Sequence, residues 1–209
     1  TPHTIELYDN SNIQGAYAVA GMVVYKDGVP SKKDYRKYKI KTVEGPDDYA
    51  SMKEVIYRRY YRLLMEQKEM ADLIIVDGGL GQIKVAKEVI DGLNLPVHIC
   101  GLSKDDKHST AMLLDENGNQ VPIDTKSPLF FLLTRMQDEV HRYAISFHRQ
   151  VRSKSLFSSI LDEVDGIGEA RKKKLLNHFK SVKKMKEASL EELEAVIPKN
   201  TALKLYEVL

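Results

Sequence analysis

Asp72-Leu73-Ile74-Ile75-Val76-Asp77-Gly78-Gly79 is the stretch on which the fold turns. Its consecutive aliphatic residues leave no polar face. Such a strand must be covered on both sides, as in a parallel sheet packed with helices. The run stops at a carboxylate followed by two glycines. Glycine lets a ligand come close to the backbone, so Asp77 stands where a cation or phosphate can be met.

Working toward the N-terminus, Ile5–Asn10 reads as a first strand with Asp9 near its end. Tyr17–Tyr25 reads as a second, and Lys26-Asp27-Gly28-Val29 as a tight hairpin, since Asp-Gly favours positive φ. Asp34–Lys41 is expected as a third strand. Glu44-Gly45-Pro46-Asp47-Asp48 signals a helix start with two candidate capping carboxylates. That helix is expected over Tyr49–Glu69, with Met52, Val55, Ile56, Tyr60, Leu63 and Leu64 on one face.

Toward the C-terminus, a helix is expected over Gln82–Leu93 and a strand over Pro96–Leu102. Ala111–Leu114 and Gln120–Ile123 flank a second hairpin signal, Glu116-Asn117-Gly118-Asn119. Ser127-Pro128 opens a long amphipathic helix to about Arg149, carrying His141. Three antiparallel strands, helix, strand, helix, strand, hairpin and long helix is the order of an α/β ribonuclease H-like fold. That fold is a mixed sheet flanked by helices, here assigned to residues 1–150. Residues 151–158, polar and basic, read as a linker. Residues 159–209 read as a small all-α domain of short helices.

Bulk properties narrow the classes. A net charge of +2 does not announce a nucleic-acid binder, so local charge has to carry that argument. The single cysteine, Cys100, excludes an intrachain disulfide and a Cys-based zinc site, and fits a cytoplasmic protein. No apolar run is long enough to span a bilayer. The chain starts at Thr1 without Met, which suggests a piece of a longer protein.

Asp9 and Asp77 are expected from neighbouring central strands, with His141 brought alongside by the long helix. Two carboxylates suffice to hold Mg²⁺ or Mn²⁺ against a phosphate. A histidine there can ligate the metal or relay a proton. Plainer roles stay open: a turn cap for Asp9, a phosphate or helix-cap contact for Asp77, and a solvated face for His141. His148, two helical turns on, is a rival.

Basic residues expected near this site include Arg36, Lys37, Arg58, Arg59, Lys104, Arg142 and Arg149. Arg58-Arg59 among Tyr57, Tyr60 and Tyr61 suits a phosphate backbone, or else core packing by the tyrosines.

In the tail, Asp165-Gly166-Ile167-Gly168 separates two short helices. Gly166 and Gly168 permit a tight turn that exposes N–H groups at the next helix start, where the helix dipole favours a phosphate. Arg171, Lys172, Lys173 and Lys174 add charge, so backbone-directed DNA binding is expected. A second copy has Ile197-Pro198-Lys199-Asn200 in place of the glycines. Pro198 offers no N–H, so packing is its expected role.

Five segments carry a resemblance: Ile5–Gly15 (IELYDNSNIQG), Gly45–Met52 (GPDDYASM), Asp72–Gly79 (DLIIVDGG), Asp138–Arg149 (DEVHRYAISFHR) and Asp165–Gly168. Together they resemble the C-terminal half of the UvrC family, the incision subunit of bacterial nucleotide excision repair. The resemblance implies an endonuclease that nicks the damaged strand 5′ to a lesion. It implies an Asp-Asp-His site at Asp9, Asp77 and His141, and a functional aspartate at Asp48, which the residues alone read as a helix cap. It implies a tandem helix-hairpin-helix module. It also implies damaged double-stranded DNA with single-stranded character as partner, a UvrB–DNA complex for the full-length protein, and a monomer. The family's N-terminal nuclease module and UvrB-binding segment are absent from this sequence. Two rival classes are a DNA-binding scaffold with an inactive nuclease fold, and a nucleotide enzyme using Gly78-Gly79-Leu80-Gly81. That glycine run lacks the lysine–serine ending of a P-loop.

Overall fold

In the computed structural model, Leu73–Asp77 forms β5, with Ile74, Ile75 and Val76 buried. It lies between two parallel partners, β1 (Thr4–Ser11) and β6 (His98–Lys104). The structure describes residues 1–11, 18–104 and 111–209, and the side chains of residues 104, 111, 152–155 and 157 lie outside the description. The expected start of the second strand at Tyr17 and part of the quoted segment Ile5–Gly15 fall outside it too.

From β1 the sheet extends antiparallel through β2 (Val19–Lys26), which pairs with both β3 (Val29–Pro30) and β4 (Arg36–Lys39). From β6 it extends through β7 (Ala111–Leu114) to β8 (Gln120–Val121). The sheet is therefore mixed, as expected. Asp27 and Gly28 both take positive φ, 52° and 76°, giving the two-residue hairpin that Asp-Gly signals.

The expected third strand, Asp34–Lys41, is present as the shorter β4, preceded by a turn. Ser31 Oγ donates to Asp34 Oδ2 at 2.7 Å, and residues Lys32–Asp34 form a 3₁₀ turn between β3 and β4. A proline before the turn and a side-chain bond across it favour turning over strand continuation.

Helix α1 spans Asp48–Met65 and α2 spans Leu80–Gly92. Asp47 caps α1 by accepting from Ala50 N at 2.9 Å; Asp48, expected as a cap, is the first helical residue. The helix stops at Met65, before the expected Glu69. Gln67 turns left-handed (φ 50°), Gln67 N donates to Leu64 O and Lys68 N to Leu63 O, a Schellman closure. Leu64, expected inside, is exposed. Successive β1 side chains alternate faces. Glu6 and Tyr8 point to α1, where Glu6 meets Arg59 and Tyr60; Asp9 points to the other side, toward α3.

Helix α3 runs Pro128–Asp162, straight through residues 151–158 where a linker is expected. The stretch is polar, but from Leu129 to Asp162 it contains neither Gly nor Pro, and polarity alone does not end a helix. Gly21 of β2 lies against α3: a Cβ there would sit 3.0 Å from the Ala144 backbone nitrogen.

The chain divides into two compact units, Thr1–His148 and Arg149–Leu209. The second holds α4 (Glu169–Phe179), α5 (Val182–Lys186), α6 (Leu190–Glu194) and α7 (Lys199–Val208). Leu161, Leu175, Phe179, Met185, Leu193 and Leu205 form its own apolar core. Among the described residues no helix is long and apolar enough to cross a membrane.

Candidate metal centre and nucleic-acid contacts

β1 and β5 run side by side in the same direction, so their C-terminal ends deliver Asp9 and Asp77 to one edge of the sheet. Helix α3 crosses that edge and presents His141. One ligand atom from each of Asp9, Asp77 and His141 lies within 4.8 Å of the others. His141 Nδ1 is 3.0 Å from Asp9 Oδ2. His141, not His148, lies in this cluster: among the described residues His148 is buried and its Nδ1 has no protein partner.

Burial and then the neighbouring Asp77 charge push the Asp9 carboxyl up from 3.8 to about 6. The His141 contact pulls the other way, and Asp48 adds a further upward push. Asp48 is therefore close enough to be felt electrically, although Asp47 has taken over the capping. Asn10 ties the two elements together, donating from Nδ2 to the Asp48 carbonyl at 2.8 Å. Among the described residues its Oδ1 is buried without a protein partner.

Gln137 completes the cluster and is not among the residues read from the sequence. It is buried and donates from Nε2 to Asp77 Oδ1 at 2.6 Å. Gln137 and His141 are one turn apart on α3, so a single helix face holds both carboxylates. That spacing from His141 is the one signal a sequence reader could have used.

The donor set fits a divalent cation. Two oxygens and an imidazole nitrogen converge, and the adjacent carboxylates repel each other without a positive charge between them. A neutral Gln fixes one carboxylate as outer partners of metal ligands commonly do.

The expected DNA-contacting residues scatter. Arg59 turns inward onto the buried Glu6 carboxylate (2.6 and 3.1 Å), which also accepts from Tyr8 and Tyr60 hydroxyls. Burial opposes the Arg59 charge, yet Glu6 outweighs it and raises its pKa. Arg58 bonds Glu54 and the Lys39 carbonyl, both at 2.8 Å. Arg142 is exposed and pairs with Glu139 at 2.7 Å. Arg149 is exposed on α3. Lys104 ends β6, and its side chain lies outside the described residues.

In the tail, Gly166 adopts φ 92° and Gly168 caps α4, the turn its glycines predict. Arg171 Nη1 donates to the Gly166 carbonyl and braces the turn. Lys172, expected to face DNA, is buried and pairs with Asp162 and Glu169. Lys173 and Lys174 are exposed beside it.

A mixed sheet with convergent acids at its strand ends, followed by a glycine hairpin between helices, defines the class of ribonuclease H-like nucleases with a DNA-binding module. Residues 1–145 match the UvrC RNAse H endonuclease domain, and residues 158–209 match the SAM-like helix-hairpin-helix tandem. The chain belongs to the UvrC RNase H endonuclease domain family, with the make-up of a UvrC C-terminal half.

Solved structures it resembles include the catalytic domain of human endonuclease V, at 16% identity and a TM-score of 0.42, covering 74% of this chain and 84% of that one. Another is Ciona intestinalis endonuclease V with a 23mer DNA containing an inosine followed by a ribo-adenosine (16% identity, TM-score 0.36). That match covers 50% of this chain and 46% of that one, so this chain spans about half of that relative's length. A third is Clostridium butyricum Argonaute bound to guide and target DNA (15% identity, TM-score 0.33), covering 59% of this chain and 17% of that one.

Proposed function

We propose that this chain is a divalent-metal-dependent DNA endonuclease that makes the incision on the 5′ side of a lesion in nucleotide excision repair. The observation that carries it is the convergence of Asp9, Asp77 and His141 ligand atoms within 4.8 Å, at strand ends of a UvrC-type nuclease domain.

Asp9 and Asp77 would hold Mg²⁺ or Mn²⁺, with His141 as a third ligand or as a proton carrier. Such a cation polarises a phosphodiester and makes bound water acidic enough to attack. The residues do the rest. Gln137 keeps Asp77 from rotating away from the cation position. With Nδ1 of His141 facing Asp9, Nε2 is the ring atom left to take or give a proton. Asp48 adds negative charge at the same edge. Water attack on the phosphorus leaves a 3′-hydroxyl and a 5′-phosphate.

The tail would hold the DNA backbone through the α4 N-terminus, with Gly166, Gly168, Arg171, Lys173 and Lys174 around it. Lys172 keeps that turn in place rather than touching DNA. The substrate would be damaged duplex DNA with single-stranded character, presented in the full-length protein by a UvrB–DNA complex.

The test is incision of a lesion-bearing duplex by the full repair assembly, with Asp77→Asn in this chain. Loss of the 5′ nick with DNA binding intact supports the reading. A full-rate nick overturns it.

A further inference from the structure

We propose that the face of the sheet opposite the metal centre carries a binding track for single-stranded nucleic acid, built by α1 and β4. The inference rests on the nuclease reading for its biological sense, but its geometry is independent of the metal centre.

Two observations on α1 support it, one in a cleft along the helix and one on its outer ridge. The first is a cleft of about 630 Å³ between α1 and the strand ends of β1, β2 and β4. Seven basic residues and four acidic ones line it, and Lys26, Arg58, Arg59, Arg62 and Lys68 are paired with carboxylates. Arg36 is the telling member. Its Nη1 is held by the carbonyls of Lys33 (3.0 Å) and Tyr35 (2.8 Å), and among the described residues it pairs with no carboxylate. Backbone carbonyls fix where the guanidinium points without cancelling its charge, which suits a phosphate. Arg62 lines the same wall one turn beyond Arg58; it is mostly exposed, and its Nε pairs with Glu66 at 2.7 Å while the rest of the guanidinium faces outward.

The second observation is the outer ridge of α1. Tyr57 and Tyr61 stack with ring centroids 5.4 Å apart and planes 17° apart, and both are nearly half exposed. Leu64 and Met65 continue the ridge in the open. Exposed aromatic rings beside guanidinium groups form the platform on which unpaired bases stack while phosphates follow the basic groove. Charge and rings together favour single-stranded nucleic acid over an acidic protein, which has no use for a stacked pair of open rings.

The cleft can also communicate with the cutting face. Among the described residues β4 pairs with β2 alone, and its Lys37 lines the cleft. The same Lys37 ammonium lies 4.8 Å from the Tyr143 ring centroid on α3. A strand leaving the cleft therefore meets a basic residue that already reaches the face where Asp9 and His141 stand.

The test uses the full chain carrying Asp77→Asn, in EDTA, so that binding is read without incision. Oligodeoxythymidylate substituted with 5-iodouracil is bound, irradiated and mapped for cross-links. Affinity is measured by anisotropy against salt. The expected result is cross-linking to Tyr57 or Tyr61. Tyr57→Ala/Tyr61→Ala should weaken binding by about tenfold. Arg36→Ala/Arg62→Ala should lower the log–log salt slope by about 1.4, at about 0.7 per single-strand phosphate contact. Cross-links confined to the tail, with affinity and slope unchanged in both variants, would overturn the track and leave the nuclease reading standing. Capture of an acidic protein that depends on Tyr57 and Tyr61, without such cross-links, would overturn it equally. A nuclease reading that fails does so separately, through a nick that survives Asp77→Asn.

Discussion

Gln137 donates to Asp77 at 2.6 Å from a position one helical turn before His141, which itself meets Asp9 at 3.0 Å. One helix thus orients both strand-end acids, and the neutral member makes the shorter of these two contacts.

Gln137→Ala frees the Asp77 carboxylate. Loss of an outer partner of this type weakens metal binding by roughly 10–100-fold. Calorimetric Mn²⁺ titration should show that drop, with circular dichroism unchanged. Gln137→Glu should be worse, since it adds a third negative charge against Asp77. Equal Mn²⁺ affinity in wild type and Gln137→Ala would remove Gln137 from the centre.

Asp9 gives a pH signature. Its folded value, about 6, stands above the ordinary 3.8, so the folded state grips the proton more tightly. Stability is therefore lost as pH rises from about 4 through about 6, amounting to roughly 3 kcal/mol at neutral pH. Asp9→Asn should raise the metal-free melting temperature at pH 7, at about 2–4 °C per kcal/mol recovered. The gain should vanish near pH 4. Mn²⁺ should stabilise the wild type and not this variant, and incision should be abolished.

Neighbouring acids at the start of α1 separate cleanly. Asp47→Ala removes a cap and should cost about 1 kcal/mol in denaturant unfolding, with the nick retained. Asp48→Asn should leave the unfolding midpoint in place while slowing the nick and lowering the pH at which Asp9 titrates. Reversed outcomes would return the cap to Asp48.

The buried Glu6 carboxylate takes bonds from Arg59, Tyr8 and Tyr60, and is 2% exposed. Glu6→Ala strands Arg59 without a counter-charge and should cost about 3–5 kcal/mol of stability. Urea melts give that figure directly. Per folded molecule Mn²⁺ affinity should be unaffected, because the network faces α1 and not α3.

Gly21 sets how close α3 comes to the sheet. Gly21→Ala introduces a methyl 3.0–3.1 Å from Ala144 atoms, tighter than packed carbons tolerate. Overpacking of this kind costs about 1–3 kcal/mol. Since Ala144 follows His141 by three residues, Mn²⁺ affinity should fall along with the melting temperature. A variant with weaker stability and unchanged Mn²⁺ binding would show that the helix yields elsewhere.

What could be read in the sequence follows from how local each signal is. The strand Leu73–Asp77 and the Asp27-Gly28 hairpin are dictated by a few adjacent residues, and both stand. The end of α1 depends on Gln67 adopting a conformation that Gly usually supplies, so composition placed it four residues late. The run 151–158 looked like a linker because it is polar, whereas helix continuation needs only the absence of breakers. Arg59 and Lys172 looked like DNA contacts because charge suggests the surface. Their partners, Glu6 and Asp162, turn inward or across for reasons of register that a sequence does not display. Asp9, Asp77 and His141 were legible because strand order alone brings their elements together. Gln137 was not, since an amide carries no charge to attract notice.

Helix α1 begins beside Asp9 and ends along the cleft that holds Arg62. From Asp48 to Arg62 an α-helix advances about 20 Å. On the proposed track α1 would act as a caliper: one jaw at the metal centre, the other on a distant stretch of the same strand. Lengthening it by a turn should move the nick along the DNA rather than merely slow it, so the site of cutting is a property of the rod and not only of the acids.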